Sequence, residues 1–377
     1  MIVTDFFKTY FSIINNSVGK ESKEIIYIDL FCGPGVFDSD QPSTPMVLLD
    51  LINKYENDDI RNKLRIVFND EDSKNIKKLK SLIENHEVVS KLKHPPEISN
   101  KCARDVDIKV HTFKKCPIFS FIDPWGYKDV SVTQTWDLVE NIGSDCVLFF
   151  NSNRFIMDIN KKTLHCHLEP IFGNTLPEVI TLVNDDSFDQ KKKAQRIVEL
   201  FSMNLIREKG KSHYNGYRLF VLPFGFEADD KEKISHHILF ITKNHKAITE
   251  MKKVMVKHAN SNDTQFTFDS KESLQISMFH RNDLVIDGIT KTLKEFMATE
   301  NKNFAKTWKV DILLESLDHF YMTQNYLVTP YLRNELKDTI EYLYNRGLIE
   351  VILPPNKKIS KIITFEREFK IREELLV

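Results

Sequence analysis

The sequence lacks long apolar segments and paired-cysteine motifs. No run of eighteen or more apolar residues occurs in its 377 residues, which predicts that no helix spans a membrane. Its five cysteines are scattered, and none belongs to a Cys-x-x-Cys pair. An odd, unspaced set of thiols is typical of a reducing compartment, so we predict a cytoplasmic protein. The N-terminal residues also lack the basic region and cleavage site of a signal peptide.

An excess of charge of either sign is also missing. Lys and Arg total 53 and Asp and Glu total 54, which leaves a formal net charge of −1. This balance argues against a protein that is coated in positive charge. It leaves nucleic-acid binding open, because a local basic patch is sufficient.

Phosphate-binding loops of the Walker type are absent, because no Gly-Lys-Ser/Thr follows a glycine-rich turn. One turn with Gly33 and Gly35 does follow an apolar run at residues 25–30. The next helix signal, Thr44-Pro45, comes too late to seat a pyrophosphate on a helix N-terminus. S-adenosylmethionine carries no phosphate, and a glycine turn beside acids is suited to its carboxylate and ribose. An ordinary glycine turn is the alternative. The predicted cofactor-binding residues are Asp29, Phe31, Gly33, Gly35, Asp70 and Glu71, with Asp70 and Glu71 competing for the ribose hydroxyls.

A second motif, Asp123-Pro124-Trp125-Gly126-Tyr127, follows the apolar run at residues 118–122. The Asp123 carboxylate and the Pro124 carbonyl are suited to accept both N–H bonds of an exocyclic amine, and Trp125 or Tyr127 to stack on its base. The alternative is a strand-end turn with aromatic packing. We predict that Asp123, Pro124, Trp125 and Tyr127 are the catalytic residues.

Strands alternate with helices along the first part of the chain. This order predicts an α/β fold with a doubly wound, mostly parallel sheet. Residues 107–113 are predicted as its third strand. We divide the chain into an α/β domain at 1–258 with a helical insertion at 158–212, a connecting segment at 259–302, and a winged-helix-like domain at 303–377.

The C-terminal domain has a helix, helix, hairpin pattern. Its hairpin carries Lys357, Lys358 and Lys361, which we predict to contact a nucleic-acid backbone. A protein-interaction or dimerisation module is the alternative. We predict no metal site, because His165-Cys166-His167 on an extended segment would point to opposite faces and no second ligand pair has suitable spacing.

Five segments together resemble the three-Cys-motif partner family (TcmP). They are residues 29–35, 43–45, 121–127, 148–154, and the predicted strand 239–242 with the following helix that carries Met251, and the likeness extends over nearly the whole chain. It implies a class I methyltransferase-like fold, a prokaryotic or phage setting and a partner protein with a three-cysteine motif. Trp125 and Cys32 depart from the family pattern, where Phe and Ala are usual. The Asp-Pro-aromatic-Gly order also resembles the motif of tRNA guanine-N2 dimethyltransferases.

Cytosine-C5 methyltransferases share the Asp-Leu-Phe-Cys-Gly opening but need a Pro-Cys nucleophile. This sequence has the reversed order Cys116-Pro117, so we exclude that reaction. The leading hypothesis is an S-adenosylmethionine-dependent methyltransferase-like protein acting on an exocyclic amine of a nucleic-acid base. The alternative is a catalytically silent scaffold that binds nucleic acid or a partner protein in a phage-defence or mobile-element system. The oligomeric state is left open.

Overall fold

The computed structural model describes residues 2–17, 24–37, 41–56, 58–109, 115–210, 219–228, 233–259, 267–268, 278–299, 303–352 and 362–376. Among them, no helix is long and apolar enough to cross a membrane.

The described strands of the first domain form one eight-stranded sheet in the order β3-β2-β1-β4-β5-β7-β6-β8. These strands are β1 (Ile25–Asp29), β2 (Leu64–Asn69), β3 (Glu97–Ser99), β4 (Ile118–Ile122), β5 (Asp145–Phe150), β6 (Phe220–Glu227), β7 (Ile234–Thr242) and β8 (Thr267–Phe268). Only β7 runs antiparallel to its two neighbours, β5 and β6. The apolar runs at β1, β4 and β5 are buried along nearly their whole length, as strands covered on both faces must be.

Helices cover both faces of this sheet. The face that carries Tyr27 and Phe119 packs against α1 (Ile2–Asn15), α2 (Thr44–Asn53), α4 (Ser73–Glu84) and α10 (His245–His258). A short helix, α3 (Asp59–Lys63), precedes β2. The face that carries Ile28 and Leu148 packs against α5 (Val132–Val139), α6 (Ser152–Asp158), α7 (His165–Phe172), α8 (Leu176–Val183) and α9 (Gln190–Gly210). The predicted doubly wound, class I methyltransferase-like fold is therefore confirmed.

The first helix is held to the sheet by aromatic contacts. Phe6, Phe7 and Tyr10 lie with their ring centroids 6.0, 5.5 and 5.0 Å from that of Phe119 on β4. The amphipathic pattern near the N-terminus predicted this helix, and its buried stripe covers the centre of the sheet.

The third strand lies elsewhere than predicted. Strand β3 is formed by Glu97–Ser99, whereas residues 107–109 are not in a strand and residues 110–114 are outside the described part. Asn69 fixes this edge, because its Oδ1 accepts a bond from Ser99 Oγ at 2.5 Å and its Nδ2 donates to Lys101 O at 2.9 Å. A three-residue, partly exposed edge strand has no apolar run by which the sequence would reveal it.

The C-terminal part has its own core around the buried Trp308. It contains α11 (Met278–Thr299), α12 (Val310–Asn325), α13 (Arg333–Asn345) and an antiparallel pair, β9 (Ile349–Val351) and β10 (Phe369–Ile371). The segment 259–302, predicted as a connection, thus includes a 22-residue helix. Val285, Ile289 and Leu293 of that helix lie in the same core as Trp308, so α11 belongs to the C-terminal domain. Lys357, Lys358 and Lys361 lie outside the described residues, and their contact with nucleic acid stays a prediction.

Candidate functional site

Three acidic side chains meet where the order of the sheet reverses. The sheet grows outward from β1 in one direction and from β4 in the other, and such a switch point opens a crevice at the carboxyl ends of the strands. The register places Asp29 beside Phe68 and Phe121. Asp70 and Asp123 directly follow the two neighbouring strands, β2 and β4, and the charges of both act on Asp29. The three carboxylates therefore lie close together at one edge of the sheet.

Asp29 is the most deeply enclosed of the three. Its side chain is 1% exposed, and Oδ1 accepts a hydrogen bond from Phe31 N at 3.1 Å. Its Oδ2 has no hydrogen-bond partner among the described residues. Burial raises the pKa of Asp29 well above its usual range, and the charges of Asp123 and Asp70 raise it further, although the Phe31 hydrogen bond opposes them. A buried oxygen without a partner is costly in a protein and is suited to accept a bond from a bound cation or N–H group.

Asp70 connects the end of β2 to the turn after β1. Its Oδ2 accepts a bond from Gly33 N at 2.9 Å, and its Oδ1 accepts from Asp72 N at 2.8 Å and Asn75 Nδ2 at 3.2 Å. Cys32 N donates to Asn69 O at 2.9 Å in the same connection. Asp70 therefore shapes the glycine turn, and its predicted contact with a ribose stays a prediction.

The two glycines of this turn have different surroundings. Both have positive φ, +66° for Gly33 and +85° for Gly35, a backbone conformation that favours glycine. A Cβ on Gly35 would lie 2.9 Å from Leu79 Cδ1, so this glycine lets the turn pack closely against α4. A Cβ on Gly33 would meet nothing within 4 Å. Gly33 thus borders open space.

Asp123 lies at the mouth of the crevice. Its side chain is solvent-exposed, yet enough protein surrounds it that desolvation raises its pKa to about 6. Pro124 is buried behind it and fixes the chain direction. An exposed carboxylate with a raised pKa is typical of a cleft that a small ligand can enter.

The two aromatic residues of this loop are placed differently. Trp125 is 97% exposed and offers both faces of its ring. Tyr127 is only 7% exposed, stacks on Phe155 with 5.1 Å between ring centroids, and donates a hydrogen bond to Asp158 Oδ2 at 3.2 Å. Tyr127 therefore packs into the core, and in this arrangement Trp125 is the residue of the loop that can stack on a base.

A cluster beside the crevice consists of Glu71, Cys102 and Asp129, whose ligand atoms lie within 4.8 Å of one another. Basic side chains already pair with its acids. Arg104 Nε lies 3.1 Å from Asp129 Oδ1, and Lys128 Nζ lies 3.8 Å from Glu71 Oε2. We describe it as an ion-pair cluster that joins the loops after β2 and β4.

His165-Cys166-His167 begins helix α7, so the prediction that these residues lie on an extended segment was wrong. His165 Nε2 lies 2.8 Å from Ile159 O, so this ring supports the connection to α6.

Sequence reasoning missed a row of rings at the same edge of the sheet. Phe149, His236 and Phe226 come from β5, β7 and β6, which are adjacent strands. Phe149 and His236 are 4.3 Å apart between ring centroids, and His236 and Phe226 are 4.4 Å apart. The alternation along β5 could have shown that Phe149 faces the same way as the acids, but the sequence gives no strand order that would bring the other two rings beside it.

No family model matches this chain. No curated protein matches it either. Among solved structures, the chain is similar to a DUF519 protein from Legionella pneumophila, with 9% identity, a TM-score of 0.36, and coverage of 68% of this chain and 89% of that one. It is also similar to a SAM-dependent methyltransferase from Methanosarcina mazei, with 9% identity, a TM-score of 0.28, and coverage of 61% and 95%. Neither likeness adds to what the strand order shows, and neither supports membership of the three-Cys-motif partner family.

Proposed function

We propose that the chain is an S-adenosylmethionine-dependent methyltransferase that acts on an exocyclic amine of a nucleic-acid base. The observation that carries this proposal is the convergence of Asp29, Asp70 and Asp123 at the switch point, beside the open space at Gly33. The acids are suited to a positively charged cofactor, and Asp123 to an amine.

The residues on the cofactor side fit S-adenosylmethionine. The unpartnered Oδ2 of Asp29 is suited to accept a bond from the ammonium of the methionine part. The backbone at Gly33 can approach a ligand closely, because no side chain is in the way. When bound, the cofactor would supply a methyl group that is electrophilic because it sits on a cationic sulfur.

On the acceptor side, Asp123 and Pro124 orient the amine. The Asp123 carboxylate accepts one N–H bond, and the Pro124 carbonyl accepts the other. These bonds aim the nitrogen lone pair and hold the amine in place, which is where most of the rate gain would come from. With a pKa of about 6, Asp123 is mostly ionised at neutral pH and can take the proton that the amine loses. Trp125 is free to cover the base.

The test is methyl incorporation by an Asp123→Asn variant. Purified protein is incubated with methyl-labelled S-adenosylmethionine and with single-stranded RNA or denatured DNA. We expect kcat to fall at least about a hundredfold, because Asn keeps the size of the side chain and removes the negative acceptor. Affinity for S-adenosylmethionine should stay within a few-fold of wild type.

Asp107→Asn is the matched control, because Asp107 is also an exposed aspartate but does not directly follow a strand of the sheet. It should leave incorporation unchanged. Equal turnover by the Asp123 variant and wild type would contradict the assigned mechanism.

One observation favours a second candidate, a silent methyltransferase-like scaffold that binds nucleic acid or a partner protein. Within the described part of the chain, both oxygens of the Asp70 carboxylate accept bonds from the protein itself, so less of this carboxylate is left to hold a ribose. A scaffold would bind oligonucleotide or partner without incorporating label under any condition. A three-cysteine partner protein belongs to this second candidate and rests on the sequence resemblance.

A further inference from the structure

Phe149, His236 and Phe226 form a column of stacked rings at the edge of the crevice. The interplanar angles are 27° between Phe149 and His236 and 18° between His236 and Phe226, so the three rings are nearly parallel. All three side chains are half-buried. They lie on the sheet face that carries Phe119 and Val147, which is also the face of Asp29.

The column ends beside Asp123. The register pairs Ile122 of β4 with Leu148 of β5, and β4 ends there, so Asp123 and Phe149 are the next residues of the two neighbouring segments. Neighbouring strands lie about 4.8 Å apart, which puts the start of the Asp123 loop next to Phe149. Among the described residues, His236 is the only ring that stacks on Phe149. The next position in the column, above β4, therefore belongs to a carboxylate rather than to a ring.

The column carries no charge at neutral pH. Burial lowers the pKa of His236 to about 4, and its Nδ1 lies 2.8 Å from Ser235 Oγ. A neutral stack of flat rings attracts another flat ring by dispersion and apolar burial. It offers nothing to a phosphate or a flexible aliphatic amine.

We propose that the acceptor base is bound as the fourth ring of this column, stacked on Phe149 with its exocyclic amine at Asp123. This inference rests on the proposed function and narrows its substrate class to an unpaired purine or pyrimidine nucleotide. A paired base inside a duplex has both faces covered by its neighbours, so it would have to be unstacked before it could occupy this position. Phe149 is then a specificity-determining residue, and His236 and Phe226 position it.

A fluorescence titration tests the proposal without depending on catalysis. The probe is a single-stranded oligonucleotide that contains one 2-aminopurine, an amine-bearing base whose emission falls when it stacks. Wild-type protein should quench the probe on binding. Phe149→Ala and Phe149→Leu should lose the quenching and bind about tenfold more weakly, because a base–aromatic stack contributes that much or more. Phe149→Leu keeps a large apolar side chain without a ring, and Phe149→Tyr, which keeps the ring, should behave like wild type.

Phe365→Ala is the control, since Phe365 is a half-buried ring of the C-terminal domain that lies under Arg333. It should leave the quenching unchanged. Quenching that survives in Phe149→Leu, or that is lost only in Trp125→Ala, would overturn the proposal.

The methyl-incorporation assay separates this inference from the function on which it rests. If wild type incorporates no label but Phe149→Leu still loses quenching, the transfer reaction is wrong and the stacking site stands. If incorporation is normal and Phe149→Leu has an unchanged KM for the oligonucleotide, the stacking site is wrong and the transfer reaction stands.

Discussion

At the residue scale, the crevice places carboxylates of one kind in different environments. Asp29 is buried with one free oxygen, Asp70 is occupied by the turn, and Asp123 is exposed at the mouth. Burial raises the pKa of Asp29 and Asp123, and their mutual repulsion adds to the effect at Asp29. Such separation of environments lets one carboxylate bind a cation while another accepts a proton.

The raised pKa of Asp123 predicts the pH dependence of catalysis. The ionised carboxylate is the form that accepts the amine N–H, so kcat/KM should rise with pH through about 6 and level off above about 7. Initial rates from pH 5 to 8.5 with methyl-labelled cofactor would measure this rise of kcat/KM with pH. The residual activity of Asp123→Asn should lack it. A profile that is flat from pH 5 to 8.5 in wild type would remove Asp123 from the proton-transfer role.

At the scale of elements, the turn after β1 has two functions that its two glycines divide. Gly35 lets the turn contact Leu79 of α4, whereas Gly33 borders the space for the ligand. Within three residues, the turn therefore both packs against α4 and borders the space for the ligand.

This division predicts different outcomes for two alanine variants. Both should lose about 1–2 kcal/mol of unfolding free energy, because alanine is strained at positive φ. Gly35→Ala should lose roughly 1–3 kcal/mol more, because its Cβ collides with Leu79. Gly33→Ala should instead mainly affect S-adenosylmethionine binding. For each kcal/mol of lost stability, it should weaken binding more than Gly35→Ala does. Urea denaturation and calorimetry measure the two effects, and identical behaviour of the two variants would contradict the division.

The elements also show which features could be predicted from the sequence. The apolar runs at β1, β4 and β5 predict strands that are covered on both faces. The acidic residues that follow these strands predict a site at the strand ends. The polar strand β3 has no such signal, because it lies at an exposed edge. Tyr127 could not be placed, since its inward direction depends on Phe155 and Asp158 from a later helix. The ring column depends on β7 inserting between β5 and β6, which no local pattern encodes.

At the scale of the whole molecule, a buried ion pair joins the two domains. Asp318 of α12 lies 3.0 Å from Lys252 Nζ and 2.8 Å from His245 Nε2, both on α10, and accepts a bond from Thr329 N at 2.8 Å. A charge buried this deeply is tolerated only when such partners surround it. Val328 N also donates to Val221 O near the start of β6 at 3.1 Å, so these contacts lie toward the edge of the sheet opposite the crevice.

A cavity of about 980 Å³ lies at this junction between the domains. Its charged lining is largely paired, because Arg333 pairs with Asp311 and Lys253 with Glu250. We therefore describe it as a gap in a polar interface, separate from the site at the carboxyl ends of β1, β2 and β4.

The proposed chemistry depends on S-adenosylmethionine binding in this crevice beside Asp29. Isothermal titration of the 377-residue chain with S-adenosylmethionine, in buffers of different ionisation enthalpy, measures that binding. We predict one site per chain, and proton release on binding at pH values where the raised pKa leaves Asp29 partly protonated, because a bound cation favours the ionised carboxylate. Asp29→Asn should weaken binding and abolish the dependence on buffer. Absence of any binding heat in any of these buffers with millimolar cofactor, or binding that Asp29→Asn leaves unchanged, would show that S-adenosylmethionine does not bind beside Asp29.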